Sequence, residues 1–378
     1  MHQVWVKPSC RSLLLVAVVA GAVLVAALGT SQAGAINPPE GQPTGLIPVG
    51  PGSVESASRQ VVRTPGGRVY IVAVDDGGNV IGGRSRLVVY RASTTGIPSS
   101  FAEADTQHEP SASGTRVDGN TLSGGDARLD RNGVIHIAYF DTWATRALYA
   151  TFDTATDRWA TTDEYLGDKA QDPPEFWFGR RGDTPVAIAL DADGTPTIAV
   201  AGAKWVRVYR RGPSGWDAGT ELDADYLTVH PSLTVDRVGR LHAAWLRDTD
   251  RAIMYAQRGA DGRWSAAQTI DSGADVLDNS NADQSPSIAV DSANDPVVLY
   301  LDGTDHVKIR RLVDGTWLDE SPPVRPASFS HAPGLFVRGD DVFALLGHDT
   351  AIHPAYFSRQ AGDSTWSDTL ALDPPPGV

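Results

Sequence analysis

The stretch Ser232-Leu-Thr-Val-Asp236-Arg-Val-Gly239-Arg-Leu-His242-Ala-Ala-Trp245 decides the fold, because the chain repeats it. Its counterparts are Ala127-Arg-Leu-Asp130-Arg-Asn-Gly133-Val-Ile-His136-Ile-Ala-Tyr139, Ala187-Ile-Ala-Leu-Asp191-Ala-Asp-Gly194-Thr-Pro-Thr-Ile-Ala-Val200 and Ser287-Ile-Ala-Val-Asp291-Ser-Ala-Asn294-Asp-Pro-Val-Val-Leu-Tyr300. Each reads as a short strand, an Asp-x-x-Gly or Asp-x-x-Asn turn, and a second strand. The Asp side chain bonds the backbone ahead of it, and Gly or Asn accepts the left-handed conformation that closes the hairpin. The turn aspartates are therefore structural. His136 and His242 share a repeat position with Thr197, Val297, Tyr70 and Phe343, which makes them packing positions.

Working outward, a third strand follows in most units and carries Tyr90, Tyr149, Tyr209, Tyr255 or Tyr356. A polar turn closed by an aromatic comes next: Phe101, Trp159, Trp216, Trp264, Trp317 and Trp366. Six aromatics at a spacing of roughly 50 residues, in register with the turns, read as propeller blades. A single four-stranded sheet cannot bury both faces, whereas stacking it between neighbours in a ring does. The expected architecture is all-β: a six-bladed β-propeller of four-stranded antiparallel blades over residues 61–378. The aromatics that close the turns are expected in the core.

Lys7 and Arg11, the apolar run Leu13–Leu28 and Ala33-Gly34-Ala35 together read as a signal peptide over residues 1–35, cleaved near Ala35. The run is short for a membrane span. Residues 36–60 then form an extended N-terminal segment. The single cysteine, Cys10, precedes the apolar run, so the exported chain has no disulfide and depends on its core. The formal net charge is −14, which argues against nucleic acid and anionic membranes as partners. The expected protein is a secreted monomer with no stable membrane span and no evident cofactor; a structural or ligand-bridging cation is compatible with the charge.

The repeat over about Val61 to Leu372 resembles the BNR/sialidase-like propeller superfamily. The turns Asp261-Gly-Arg-Trp264, Asp314-Gly-Thr-Trp317 and Asp363-Ser-Thr-Trp366 look like worn Asp-boxes, although the Asp sits too close to the Trp and the Ser is missing. This resemblance implies a secreted bacterial protein that is sialidase-like or carbohydrate-active. It does not supply the arginine triad, the Tyr/Glu nucleophile pair or the Asp acid/base of a working sialidase. Tyr90-Arg91 is followed by Ala92-Ser93 where the family has Ile-Pro.

Loop length points to a site. Blade-to-blade connections are long, and in a propeller they share one face with the loops between second and third strands. That face is expected to present Asp141, Trp143, Trp205, His230, Asp248, Arg251, Asp302, His331 and His348. Carboxylates and imidazoles hydrogen-bond hydroxyls, and indoles stack on sugar rings. The expectation is glycan recognition at the axial mouth. Two other functions stay open: a glycoside hydrolase or polysaccharide lyase acting at that face, and an extracellular protein-interaction scaffold. Catalytic and metal-binding residues are not assigned.

Overall fold

The computed structural model describes residues 15–16, 47–48, 61–75, 86–95, 100–104, 122–141, 146–160, 163–166, 186–202, 205–224, 228–247, 249–273, 286–302, 306–322, 334–346, 355–363, 365–367 and 370–371. Apart from a two-residue ladder joining Leu15–Val16 to Ile47–Pro48, its strands fall into six antiparallel sheets, each drawn from one continuous stretch of chain. The six-bladed propeller is therefore present.

Blade 1 comprises Val61–Arg63, Arg68–Asp75, Arg86–Thr95 and Phe101–Glu103. Blade 2 comprises Leu122–Leu129, Val134–Asp141 and Arg146–Asp153, with an outer strand in two pieces, Arg158–Trp159 and Glu164–Tyr165. Blade 3 repeats that form: Val186–Leu190, Pro196–Gly202, Trp205–Gly212, then Gly215–Trp216 and Thr220–Asp223. Blade 4 has Thr228–Val235, Leu241–Arg247, Ala252–Arg258 and Gln268–Ser272. Blade 5 has Ser287–Val290, Pro296–Leu301, Val307–Val313 and Thr316–Asp319. Blade 6 has Gly334–Arg338, Asp341–Leu346, Ala355–Arg359 and Leu370–Ala371. Blades 2 and 3 thus depart from the expected four strands only because their outer strand is interrupted.

The turns form as their residues require. In blade 2 the Gly133 amide donates to the Asp130 carbonyl (3.2 Å), and Oδ1 of Asp130 accepts the amides of Asn132 (2.9 Å) and Val134 (2.7 Å). Gly133 has a φ of 85°, which only glycine adopts without strain. Asp236 and Asp291 cap their turns in the same way, with Asn294 taking the left-handed position at φ 69°. Blade 1 substitutes Thr64 for the aspartate.

Burial follows position in the ring. Pro196–Gly202 and Pro296–Leu301 are buried on both faces, which is why second strands are apolar without alternation. The third strand Val307–Val313 alternates buried and half-buried residues. The core consists of layers between blades. Trp245 packs with Ala199, Val206 and Met254 between blades 3 and 4, and Tyr255 packs with Ile288 and Tyr300 between blades 4 and 5. Near the axis, one inner strand caps the next. Asp126 accepts the Ile188 amide (2.8 Å), Ser232 the Ile288 amide (3.2 Å) and Ser287 the Leu335 amide (3.1 Å). These bonds satisfy edge donors that a sheet would otherwise leave open.

The turn-closing aromatics differ from the expected core role. Phe101, Trp159, Trp216, Trp264, Trp317 and Trp366 are half-buried and pack onto the rim of these layers. Among the described residues the fully buried tryptophan is Trp245, in a second strand. The third-strand tyrosines also split. Tyr149 and Tyr255 face the following blade, whereas Tyr209 faces the preceding one. A one-residue offset turns a strand side chain to the other face.

Candidate functional site

The seams between blades carry the polar chemistry. In blade 4, His242 and Tyr255 lie on neighbouring strands, and Nδ1 of His242 is 2.8 Å from the Tyr255 hydroxyl. Nε2 of His242 faces Asp236 at 3.4 Å. Asp236 also pairs with Arg240. Burial alone would raise the Asp236 carboxyl, but bonds from the Arg240 side chain and amide and from His242 outweigh it and hold the group below the usual range. Burial lowers the His242 pKa, an effect that Asp236 only partly offsets. The indole of Trp317, from blade 5, meets the Tyr255 ring edge-on at 5.1 Å.

Outside this buried group, a cleft of about 690 Å³ opens between blades 4 and 5. Its blade 4 wall includes Arg240, Gln257, Arg263 and Trp264; its blade 5 wall includes Asp295 and Leu312. Tight turns supply most of these positions. Asp295 follows the Asn294 turn position, and Arg263 and Trp264 close the hairpin in which the Gly259 amide donates to the Arg263 carbonyl (2.9 Å). Burial and the nearby Asp291 push the Asp295 carboxyl upward. Further toward the opposite end the seam is shut: the Tyr300 hydroxyl donates to Asp271 (2.6 Å), and Arg310 bonds the same oxygen (2.7 Å). The cleft thus combines guanidinium groups, an amide and carboxyls, whereas the Trp264 indole packs against the layer between blades 3 and 4. Its size is that of a small-molecule site.

The cleft lies at the tight-turn end of the blades, whereas loop length pointed to the other end. Of the residues expected there, Trp143, Asp248, His331 and His348 fall outside the described residues, as do the side chains of Asp141 and His230. Backbone positions are described for the last two. Asp141 ends a second strand opposite Leu122 and Arg146, and His230 lies on the inner strand of blade 4. Asp302 is buried and closes its own turn, accepting the His306 amide (2.9 Å), with His306 Nδ1 at 3.3 Å and Lys308 Nζ at 3.8 Å. Trp205 lies against Gly202, and the Arg207 guanidinium sits over its ring at 4.6 Å. The Arg251 backbone is left-handed (φ 53°), and its carbonyl accepts the Gly273 amide (3.0 Å). Asp302 and Arg251 thus have partners within their own blades, and Trp205 also packs against the layer between blades 2 and 3. Among the described residues, no group of three His, Cys, Asp or Glu side chains is placed to hold a metal, and no helix is long and apolar enough to cross a membrane.

Sequence reasoning passed over Arg240 and Asp295 because they belong to turns that looked purely structural, and Gln257 because it is a strand residue with no motif around it. The packing role expected for His136 and His242 is what the structure shows. His136 is buried with Nδ1 2.6 Å from the Tyr149 hydroxyl. Both imidazoles have lowered pKa values, with burial as the main cause. Below the ordinary value of 6.5 the unfolded chain therefore binds protons that these two sites refuse, and stability falls as pH drops from there toward the folded values. Asp130 and Asp236, both held low, add a second loss below 3.8. Asp295, held high, works in the opposite sense. Thermal melting from about pH 7.5 to about pH 5 should show a falling Tm, and a His136→Gln, His242→Gln double variant should flatten the slope. A Tm independent of pH in the parent over that range would contradict it.

Together the blades and the open seam define a six-bladed propeller with a polar, aromatic-lined cleft between two blades. No family model matches the chain, and no curated protein matches its sequence. Solved structures do match its fold. The BP39L lectin from Burkholderia pseudomallei aligns at TM-score 0.55 and 9% identity, over 84% of this chain and 100% of that one. The SapL1 lectin in complex with alpha methyl fucoside aligns at 0.51 and 14%, over 86% and 98%. A triple mutant of AofleA from Arthrobotrys oligospora aligns at 0.51 and 13%, over 84% and 88%. At these identities the likeness is one of fold.

Proposed function

We propose that the chain is a carbohydrate-recognising propeller that binds a neutral sugar in the cleft between blades 4 and 5. The observation that carries this reading is the cleft itself, with Gln257 and Arg263 on one wall and Asp295 on the other. Amide, guanidinium and carboxyl groups match the donors and acceptors of sugar hydroxyls. The fold shared with lectins supports it, and the fucoside bound by SapL1 supplies the first sugar to try. Export through a leader over residues 1–35 belongs to the same reading, since it would place the protein among extracellular glycans.

The finer likeness to sialidase-like proteins rests on the Trp-closed turns. Here Asp261 caps the Arg263 amide (3.1 Å), so these turns serve the hairpin. The alternative place for the ligand is the axial mouth, at His230, His331, Asp248 and Asp302, which long connections, recurring polar residues and the convergence of blades at a channel favour. A glycan array with reducing-sugar and unsaturated-product assays on the same panel tests the function. Binding without turnover is expected. Turnover of a bound glycan would make the protein an enzyme, and an empty array would remove the carbohydrate reading.

A further inference from the structure

The seam between blades 2 and 3 is built like the one that opens between blades 4 and 5. Asp130, His136 and Tyr149 stand where Asp236, His242 and Tyr255 stand, and His136 and His242 make the same imidazole-to-phenol contact. Trp216 meets Tyr149 edge-on at 5.2 Å, as Trp317 meets Tyr255 at 5.1 Å. Pro196 and Pro296 begin the facing second strands.

Two positions differ in a way that decides access. Opposite Tyr149 on the outer strand is Glu164; opposite Tyr255 is Gln268. Paired with Trp216 across its turn is Arg211; paired with Trp317 is Leu312. Glu164 and Arg211 reach across the seam and bond at 2.8 and 2.7 Å, and the Trp216 indole N–H donates to the same carboxylate at 3.1 Å. The guanidinium comes within 6.0 Å of the Tyr149 ring centroid. Gln268 and Leu312 cannot form such a pair. The buried indole N–H of Trp317 accordingly has no partner, although its counterpart in Trp216 has one.

We infer that the Glu164–Arg211 pair is a latch that closes a second sugar cleft between blades 2 and 3, twin to the open one, so that the chain presents one open site and one held shut. This rests on the sugar-binding reading of the open cleft. The latch is at the surface, with 41% of the Arg211 and 33% of the Glu164 side chain exposed. An ion pair so exposed is weak and screened by salt, so it can yield to a ligand or to ionic strength. The twin is not identical. Val134 and Thr195 stand where the open cleft has Arg240 and Asp295. The latched cleft, with fewer charged groups, takes the same class of neutral polyol more weakly.

The test uses alpha-methyl fucoside as the probe in calorimetry, on the whole chain and two double variants. Glu164→Gln with Arg211→Leu copies the open seam and should add a second, weaker equivalent of sugar. Gln268→Glu with Leu312→Arg installs a latch on the open seam and should abolish the first. Solvent exchange of the Trp216 indole N–H, followed by NMR, reports the latch without any ligand and should quicken in the opened variant. Should the parent bind no fucoside, the sugar reading of the open cleft fails for that ligand, and the latch stands or falls on indole exchange. Unchanged exchange in the opened variant overturns the latch. If the parent does bind, no added equivalent in the opened variant, or full binding in the latched one, overturns the twin site.

Discussion

Replacing Trp245 by Ala should destabilise the protein by about 3–5 kcal/mol, the range for removing a large buried aromatic. Trp245 is wholly buried in the layer between blades 3 and 4. Its indole N–H donates to Asp223 on the outer strand of blade 3 (2.9 Å), so the side chain ties two blades together as well as filling space. Trp245→Phe keeps most of the volume and loses the bond, for a smaller cost of about 1–2 kcal/mol. Urea denaturation gives both values. The half-buried rim residue Trp264 should cost less than Trp245 on truncation. Equal losses at the two positions would show that the rim, and not the layer between blades, carries the packing.

The second large effect is expected at Asp291. One of its oxygens accepts the amides of Ala293 and Asp295, both at 2.9 Å, and the other pairs with Arg311. Both side chains are nearly buried, at 4% and 10% exposure. Asp291→Ala removes the turn cap and strands part of a buried guanidinium, which Glu320 still contacts at 3.0 Å. The expected loss is about 2–4 kcal/mol, toward the lower part of the range for breaking a buried ion pair because Glu320 remains. Asp291→Asn keeps an acceptor for the turn and should lose roughly half as much. The exposed pair Arg207–Glu221 makes the control, since Glu221→Ala should cost less than about 1 kcal/mol. A neutral Asp291→Ala would mean that the turn aspartates are ornamental.

Much of this fold is legible in the sequence because the deciding interactions are local. Asp236 and Gly239 are three residues apart, and the turn they make needs nothing from the rest of the chain. The blade count follows from repeating that turn with one aromatic per unit. What the sequence hides is chemistry between blades. Glu164 and Arg211 are 47 positions apart, and no periodicity marks them as partners. The tyrosines of the third strands look equivalent when aligned by type, yet Tyr209 and Tyr255 face opposite seams because the strand offset differs by one residue. The cleft escaped notice for a related reason. Loop length is a sound guide to binding loops, but Asp295 and Arg240 project from the shortest turns, and only the stacking of two blades brings them to one space.

Calorimetry with a glycan selected on the array tests the cleft most directly, comparing Arg263→Ala and Gln257→Ala with His230→Ala and Asp302→Asn, each checked for unaltered melting. Binding between blades 4 and 5 predicts at least a tenfold loss of affinity, about 1.4 kcal/mol, in the first pair and parental affinity in the second. Parental affinity in Arg263→Ala and Gln257→Ala, with loss in His230→Ala or Asp302→Asn, would move the site to the axial mouth and contradict the account.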